Sequence, residues 1–562
     1  MQNVRLQRTI SSALWSAYAD ALGFPTELAS LSTVERRIGT PRSNRTVPWK
    51  RMIGGRSGTT VKLPAGAYSD DTQLRLATCR AIRADGFFDV ESFSKVELPT
   101  WLSYALGAGR GSKDAAGSLT NRNVAWFSNF FPNYVNGGGN GAAMRIQPHV
   151  WAARDTRKSE CFLPDVLRNA VCTHGHLRGI VGAVIHAISL AHIYSTEEAS
   201  GPLHWRKFCD DIARLPKMIN DDYELRTFWL PTWESTSKNS LENAIDEIIN
   251  EWRANVELAS RILSESTSDL AATYYRIVES CGGLNESERG SGLKCALFAN
   301  VATFIYGHVG VRESIETVVN FLGSDTDTIG TMAGALLGAW RYETLPCDIL
   351  QDELYITNEA KRLFDISRGM KVDTHHYPDL LFWQPVKIIA DIVSSDAGAL
   401  SLEGISYVRK VKEIFPAKQK DISWIWAELE IGQSVLCKVR DRNLSGIQYE
   451  RNESRKSDQN VSSIAHGESL SLDLDDDKIT TNNTPGKVKN ADDIIIEKDD
   501  NNPLDYLDKI TDEVIKSGFN KELLGEKILA FAEVDNGIEL AIAFSAIIIK
   551  AKRARLKKNI NS

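Results

Sequence analysis

The chain has 562 residues, a net charge of -7, 43% hydrophobic and 25% charged residues, and a pI near 5.9. That length exceeds one small domain, and the composition is ordinary for a globular protein. The acidic balance does not suggest a protein built to coat nucleic acid, so no stable nucleic-acid binding is expected.

The N-terminal stretch through Gly23 lacks the apolar core and cleavage site of a signal peptide. Leu14, Ala17, Tyr18, Ala21 and Leu22 instead recur at helical spacing and predict a first amphipathic helix. It leads into Asp20-Ala21-Leu22-Gly23-Phe24-Pro25-Thr26-Glu27, which leaves Glu27 on a loop after a Gly-Phe-Pro break. Asp20 alone reads as a structural polar residue.

The first acidic cluster follows, Ser69-Asp70-Asp71-Thr72, immediately before a helical pattern over 73–84. Acidic residues in a first helical turn are common, because free amides and the helix dipole stabilise them. Gly137-Gly138-Gly139-Asn140-Gly141-Ala142-Ala143-Met144-Arg145 comes next. Its glycines permit close backbone approach to a phosphate or ribose. Gly107-Ala108-Gly109-Arg110-Gly111 is a weaker signal of the same kind. Thr173-His174-Gly175-His176 precedes an apolar helix within 164–194. With no third soft ligand nearby, His174 reads as a polar contact to a ligand or a satisfied structural histidine.

Helical stripes continue over 241–263, 293–306 and 329–340. The last follows the second acidic cluster, Gly323-Ser324-Asp325-Thr326-Asp327-Thr328, and is lined by Ala333, Gly334, Ala335, Gly338 and Ala339. Such small residues let helix backbones approach closely. Strand-like alternation is scarce through about residue 346, which predicts a compact all-α domain with loop-borne ligands. The two acidic clusters together supply four carboxylates and several hydroxyls. These hard oxygen donors suit Mg²⁺, Mn²⁺ or Ca²⁺, and their mutual repulsion calls for cations.

The pattern then changes. Residues 347–449 carry prolines, aromatics and β-like runs such as Ser423–Trp426 and Val435–Val439, and read as an accessory segment of mixed structure. Residues 450–502 have no aromatic and read as a disordered linker. Helical pattern returns over 503–562, with a basic tail from Lys550 that offers a possible partner contact. The apolar run Ile538 to Ile549 is short for a bilayer span, which needs about 20 residues, so no transmembrane segment is expected. Eight cysteines without CxxC or zinc spacing imply buried free thiols in a reducing, cytoplasmic compartment.

Taken in order, these motifs resemble the ADP-ribosylglycohydrolase family over roughly residues 8–346. The carrying segments are Ala19–Glu27, Ser69–Thr72, Gly139–Arg145, Thr173-His174 and Gly323–Thr328. The resemblance implies an all-α orthogonal helical fold and a cleft with two Mg²⁺ (or Mn²⁺) ions. It places Ser69, Asp70, Asp71, Asp325, Asp327, Thr328 and Glu27 at metal-ligand positions, and Asn140, Gly141, Ala142 and His174 on segments that hold ADP-ribose. Serine stands at position 69 where the family has threonine, while Ala19 and Ser324 stand where it has glycine; no carboxylate is lost. The implied reaction is hydrolysis of the N- or O-glycosidic bond between the distal ribose and a protein or other acceptor, with Asp71 or Glu27 as general base. Two other readings fit the oxygen-donor clusters: a catalytically silent ADP-ribose-binding module, and a metal-dependent nucleotide phosphohydrolase.

Overall fold

A computed structural model describes residues 2–265, 268–396, 399–445, 503–531 and 537–560. The expected linker 450–502 lies outside the described residues. The helical body is organised around the antiparallel contact of α1 (Gln2–Gly23) with α5 (Thr326–Trp340). Other elements used below are α2 (Asp70–Ala81), α3 (Leu177–Thr196), α4 (Gly292–Tyr306) and α6 (Glu353–Ser367).

The α1–α5 contact is close because glycine occupies α5 wherever α1 crosses it. A Cβ on Gly334 would lie 2.5 Å from the Trp15 carbonyl oxygen, and one on Gly338 would lie 2.5 Å from that of Ser11. The serines of α1 use this proximity. Ser12 Oγ donates to the Ala335 carbonyl at 2.7 Å and Ser16 Oγ to that of Thr331 at 2.9 Å. The stripe predicted on α1 is buried as expected. Helix α5 begins three residues earlier than the sequence pattern suggests, with Asp325 as its N-cap and Asp327 in its first turn.

The all-α expectation for the region through residue 346 needs correction in one place. Strands β1 (Trp49–Ile53) and β2 (Thr59–Leu63) form an antiparallel hairpin inside the helical region. Residues 393–440 form a five-stranded antiparallel meander of β3 (Val393–Asp396), β4 (Ala399–Leu402), β5 (Ser406–Pro416), β6 (Ile422–Leu429) and β7 (Ser434–Arg440). The hairpin was missed because its buried residues have their partners far away in sequence. Trp49, Ile53, Val61 and Leu63 share one apolar cluster with Phe415, Trp424, Trp426 and Leu436, and Trp426 Nε1 donates to the Lys62 carbonyl at 3.1 Å.

Packing runs straight across residue 346. Arg80 of α2, fully buried, forms a double hydrogen bond with buried Glu97 (2.7 and 2.8 Å). It also donates to Tyr355 Oη of α6 and to Gln433 Oε1 before β7, while Tyr377 Oη donates to Glu97 at 2.6 Å. A buried charge pair needs its remaining lone pairs and protons satisfied, and here residues beyond 346 satisfy them.

Helices α7 (Pro503–Lys516), α8 (Lys521–Ala530) and α9 (Gly537–Ile560) share a small core that also takes in Leu381. Ion pairs Arg122–Asp512 and Lys550–Glu91 join them to the main body. Of the cysteines, Cys79, Cys172, Cys281, Cys295 and Cys437 are buried free thiols, whereas Cys161 and Cys347 are exposed. Among the described residues one helix, α3, is long and apolar enough to cross a membrane; most of it is buried in the protein core between its neighbours.

Candidate active site

The two acidic clusters converge. Ser69 ends the loop before α2 as its N-cap, its hydroxyl accepting from the Asp71 amide at 3.3 Å. Asp20, at the end of α1, accepts from the Ser69 and Thr72 amides, both at 2.9 Å. It is fully buried, so its carboxylate serves as a cap delivered from another helix. These bonds fix the first turn of α2 to α1. The second cluster is fixed to the same helix by contact alone. Gly23 lies against Asp327 so tightly that a Cβ there would come within 2.6 Å of the Asp327 Cα.

The halves then meet directly. Thr328 Oγ1 donates to Asp71 Oδ1 at 3.2 Å, and the Thr328 amide donates to Asp327 Oδ1 at 2.9 Å. Asp71 Oδ2 is buried with no hydrogen-bond partner. An anionic oxygen left this way is costly unless something else pairs with it. Burial pushes Asp70, Asp71 and Asp327 well above the usual carboxylate range, and repulsion from neighbouring carboxylates, led by Glu27 for Asp70 and Asp327 and by Asp20 for Asp71, pushes them further. Glu27, half-buried, is raised to about 7, chiefly by burial; Arg51 opposes the shift and Asp325 adds to it. Its charge is the strongest neighbouring influence on both Asp70 and Asp327, so the loop after Pro25 does bring Glu27 to the acidic group.

A buried carboxylate oxygen without a protein partner, set among other hard oxygen donors, fits a divalent cation better than a proton-only site. In their present hydrogen bonds, no three His, Cys, Asp or Glu side chains among the described residues are gathered closely enough to ligate one ion by themselves. The carboxylates are engaged instead by Thr328, the Thr328 amide and Asn140. Hydroxyl, backbone and water oxygens complete hard-cation shells.

The glycine-rich segment lies on the other flank. Asn140 Nδ2 donates to Asp325 Oδ2 at 2.9 Å and to Cys295 Sγ at 3.3 Å, linking it to the second cluster. Gly141 is hemmed in: a Cβ would lie 2.7 Å from Ser112 Oγ and 3.2 Å from the His174 ring. Ala142 is fully buried beneath it. Arg145, also buried, braces the turn from below, donating to the Gly141 carbonyl at 2.7 Å, to Thr173 Oγ1 at 2.8 Å and to Asn169. His174 Nδ1 pairs with Thr173 Oγ1 at 2.7 Å. Burial first, then Arg145, pulls its pKa down to about 3, so the ring is neutral. His176 does something else, capping α3 by accepting from the Arg178 amide at 3.0 Å; the histidine pair is not a zinc site.

Sequence reasoning missed the cations around this acidic group. Lys113 is the positive charge acting on Asp70, Arg289 acts on Asp325, and Arg51 and Arg37 act on Glu27. The 107–111 glycine run was the available signal for Lys113. Gly107 has φ +93°, and a Cβ there would be 3.2 Å from Asp70 Oδ1 and 3.0 Å from the Phe24 ring.

The accessory region also reaches the site. Tyr68, next to Ser69, donates to Asp352 at 2.7 Å, and Asp352 accepts from the Ser434 amide at 2.8 Å. Gly66 packs on backbone: a Cβ would fall 2.4 Å from the Ile349 carbonyl oxygen. The loop carrying the first cluster is therefore shaped by residues 349–352 and 434.

A sequence profile of the ADP-ribosylglycohydrolase family matches residues 1–371. The chain belongs to the ADP-ribosylglycohydrolase family. The matched region passes residue 346 and takes in all of α6. The chain is 23% identical over 353 residues to the uncharacterized protein YegU of Escherichia coli, covering 60% of this chain and 88% of that one. It is 29% identical over 174 residues to the ADP-ribosyl-[dinitrogen reductase] glycohydrolase of Rhodospirillum rubrum, covering 30% of this chain and 52% of that one. A solved ADP-ribosylglycohydrolase-related protein complex is 20% identical, with a TM-score of 0.39 over 65% of this chain and 99% of that chain. Family membership makes this chain a glycohydrolase that removes ADP-ribose hydrolytically, within a family that uses divalent metals.

Proposed function

We propose that the chain cleaves the N- or O-glycosidic bond between the distal ribose of ADP-ribose and a modified acceptor, and that it depends on Mg²⁺ or Mn²⁺. The observation that carries this reading is the joining of the two clusters through Thr328 and Asp71, beside a buried, unpartnered Asp71 oxygen. Ser69, Asp70, Asp71, Asp325, Asp327 and Thr328 would hold two divalent ions, which supply Lewis-acid polarisation of a water and of the ribose hydroxyls.

The protein's own groups do the rest. Asn140, Gly141, Ala142 and His174 would hold the ADP-ribose beside the carboxylates, to which Asn140 ties them through Asp325. His174, neutral and anchored through Nδ1, presents Nε2 to the Gly139–Gly141 side of the cleft. The surrounding carboxylates stabilise the positive charge that develops on the ribose as the bond breaks. Glu27 is half-buried at the edge of the group, where a water can reach it, so it is the general base favoured here over the more deeply buried Asp71.

Asp70→Asn and Asp327→Asn test the shared site. Each is expected to abolish ADP-ribose release from a modified acceptor, and to abolish thermal stabilisation by Mg²⁺ or Mn²⁺, with helicity retained. Full activity in either variant refutes the shared site. Release of phosphate instead of intact ADP-ribose assigns the site to phosphohydrolysis.

A further inference from the structure

The acidic net charge conceals a basic strip at the edge of the cleft. Between Arg36 and Ser69 the sequence holds eight arginines and lysines and no acidic residue. Arg36, Arg42, Arg45, Lys50, Arg56 and Lys62 are exposed. Among the described residues none of the eight makes an ion pair with a carboxylate, although ion pairs are frequent elsewhere on this surface.

The hairpin concentrates this charge. Its buried face, Trp49, Ile53, Val61 and Leu63, packs on the meander. Its outer face places Lys50 directly opposite Lys62 in the antiparallel register, both exposed. Like charges facing each other across a strand pair destabilise it, so this pairing works against the hairpin unless an anion spans it. At the inner edge, the Arg51 guanidinium lies 4.5 Å from the centre of the Phe24 ring. Phe24 borders Gly107, which borders Asp70. Arg51, on the hairpin beside Lys50, is therefore about one side chain from the acidic group.

We propose that this strip docks the phosphate backbone of a nucleic-acid strand whose ADP-ribosyl adduct enters the cleft. The proposal rests on the glycohydrolase reading above and names the acceptor class for it. Two features favour phosphate over an acidic protein. Six of the eight cations are arginines, whose planar forks match phosphate. The strip also lacks the exposed aromatic anchors that dominate protein interfaces: Trp49, Trp424 and Trp426 are buried and Met52 is the exposed apolar side chain on the hairpin face. Phosphate contacts need no such anchor, because they are sequence-independent and electrostatic.

The test is fluorescence anisotropy of the full chain with a labelled, unmodified 30-nucleotide single-stranded DNA, titrated over salt. Binding is expected to weaken steeply with salt, with a log–log slope of about -4 for six phosphate contacts. Lys50→Glu pairs with Lys62, so it is expected to leave the melting temperature unchanged or raised while weakening DNA binding about tenfold. Arg45→Glu with Lys50→Glu and Arg56→Glu is expected to remove it. Absence of salt-dependent binding, unchanged affinity in the triple variant, or equal displacement by polyglutamate of matched charge would each overturn the proposal. Hydrolysis of a small ADP-ribosylated adduct, measured on the same variants, is expected to be unaffected. Its presence in a protein that fails to bind DNA would sink the docking surface and leave the glycohydrolase reading standing.

Discussion

Gly23→Ala is the sharpest test of how the two acidic clusters are held together. The added Cβ would sit 2.6 Å from the Asp327 Cα, 2.9 Å from its amide nitrogen and 3.0 Å from the Thr326 carbonyl oxygen. Ordinary van der Waals contact starts near 3.4 Å, so the shortest approach is too close by about 0.8 Å. All three obstructing atoms are backbone, in the first turn of α5, and none can rotate away. The end of α1 and the start of α5 must part, and Asp327 moves away from Asp71. Overpacking of this kind costs about 1–3 kcal/mol. Displacing a reacting group by about 1 Å costs on the order of 100-fold in rate. The expected result is a lower melting temperature, a loss of ADP-ribose release on that order, and a reduced thermal shift on adding Mn²⁺. Gly525→Ala is the control, because nothing lies within 4 Å of a Cβ there, and alanine in a helix interior stabilises by up to ~1 kcal/mol. If Gly23→Ala matched wild type in both rate and Mn²⁺-dependent shift, the clusters would not be positioned by this contact.

Two further outcomes follow from the same site and its supports. Asp70, Asp71, Asp327 and Glu27 all have raised values in the folded chain, so the folded state binds more protons than the unfolded one. With chelator present, the contribution of these four groups to stability should therefore be complete below the unfolded carboxylate range near pH 4 and be lost as pH climbs through the Glu27 value of about 7, while the buried neutral histidines His149, His174 and His186 oppose it at acid pH. Divalent cations displace those protons, so the stabilisation by Mg²⁺, read by differential scanning fluorimetry, should be small at pH 5 and large at pH 8; a shift independent of pH would contradict cation binding by these carboxylates. Separately, a chain ended at residue 346 should show no cooperative melt, because it loses Tyr355, Tyr377 and Gln433 from the Arg80–Glu97 network, and each buried polar group left unsatisfied costs about 1–3 kcal/mol. A cooperative melt with a normal Mn²⁺ shift from that fragment would show that 1–346 is self-sufficient.

What could be read from the sequence was whatever is local. The helical stripes, the acidic first turn of α2 and the small-residue face of α5 each depend on neighbours within a few positions, and the structure places α2 and α5 within three residues of where the spacing suggests. The five ordered motifs sufficed to place the chain in its family for the same reason, each being a short segment. The hairpin was invisible because Lys50, Arg51 and Met52 do not alternate like a strand's residues. Its apolar partners, Phe415, Trp424 and Trp426, lie more than 350 residues downstream. The cations that face Asp70, Asp325 and Glu27 were equally hidden, since each belongs to a different structural element from the carboxylate it acts on.

The same reasoning changes the status of the region after residue 346. Asp327 is held by α1 through Gly23, and Asp70 and Asp71 are held by α1 through the Asp20 cap. That clamps the two clusters from one side. From the other side the loop into Ser69 is pinned by Tyr68 to Asp352, and by Gly66 against Ile349 and Leu350. Asp352 is fixed in turn by the Ser434 amide at the start of β7. Glycine at 66 is required on two counts, a φ of +77° and a backbone contact that no side chain would allow. A loop with its last residue capped from one helix and its middle set against another segment has little freedom to place Ser69, Asp70 and Asp71 differently. The meander therefore belongs to the catalytic unit as the outer jaw of that clamp, and its sequence should be as constrained at Asp352 and Gln433 as the helical body is at Asp20 and Gly23.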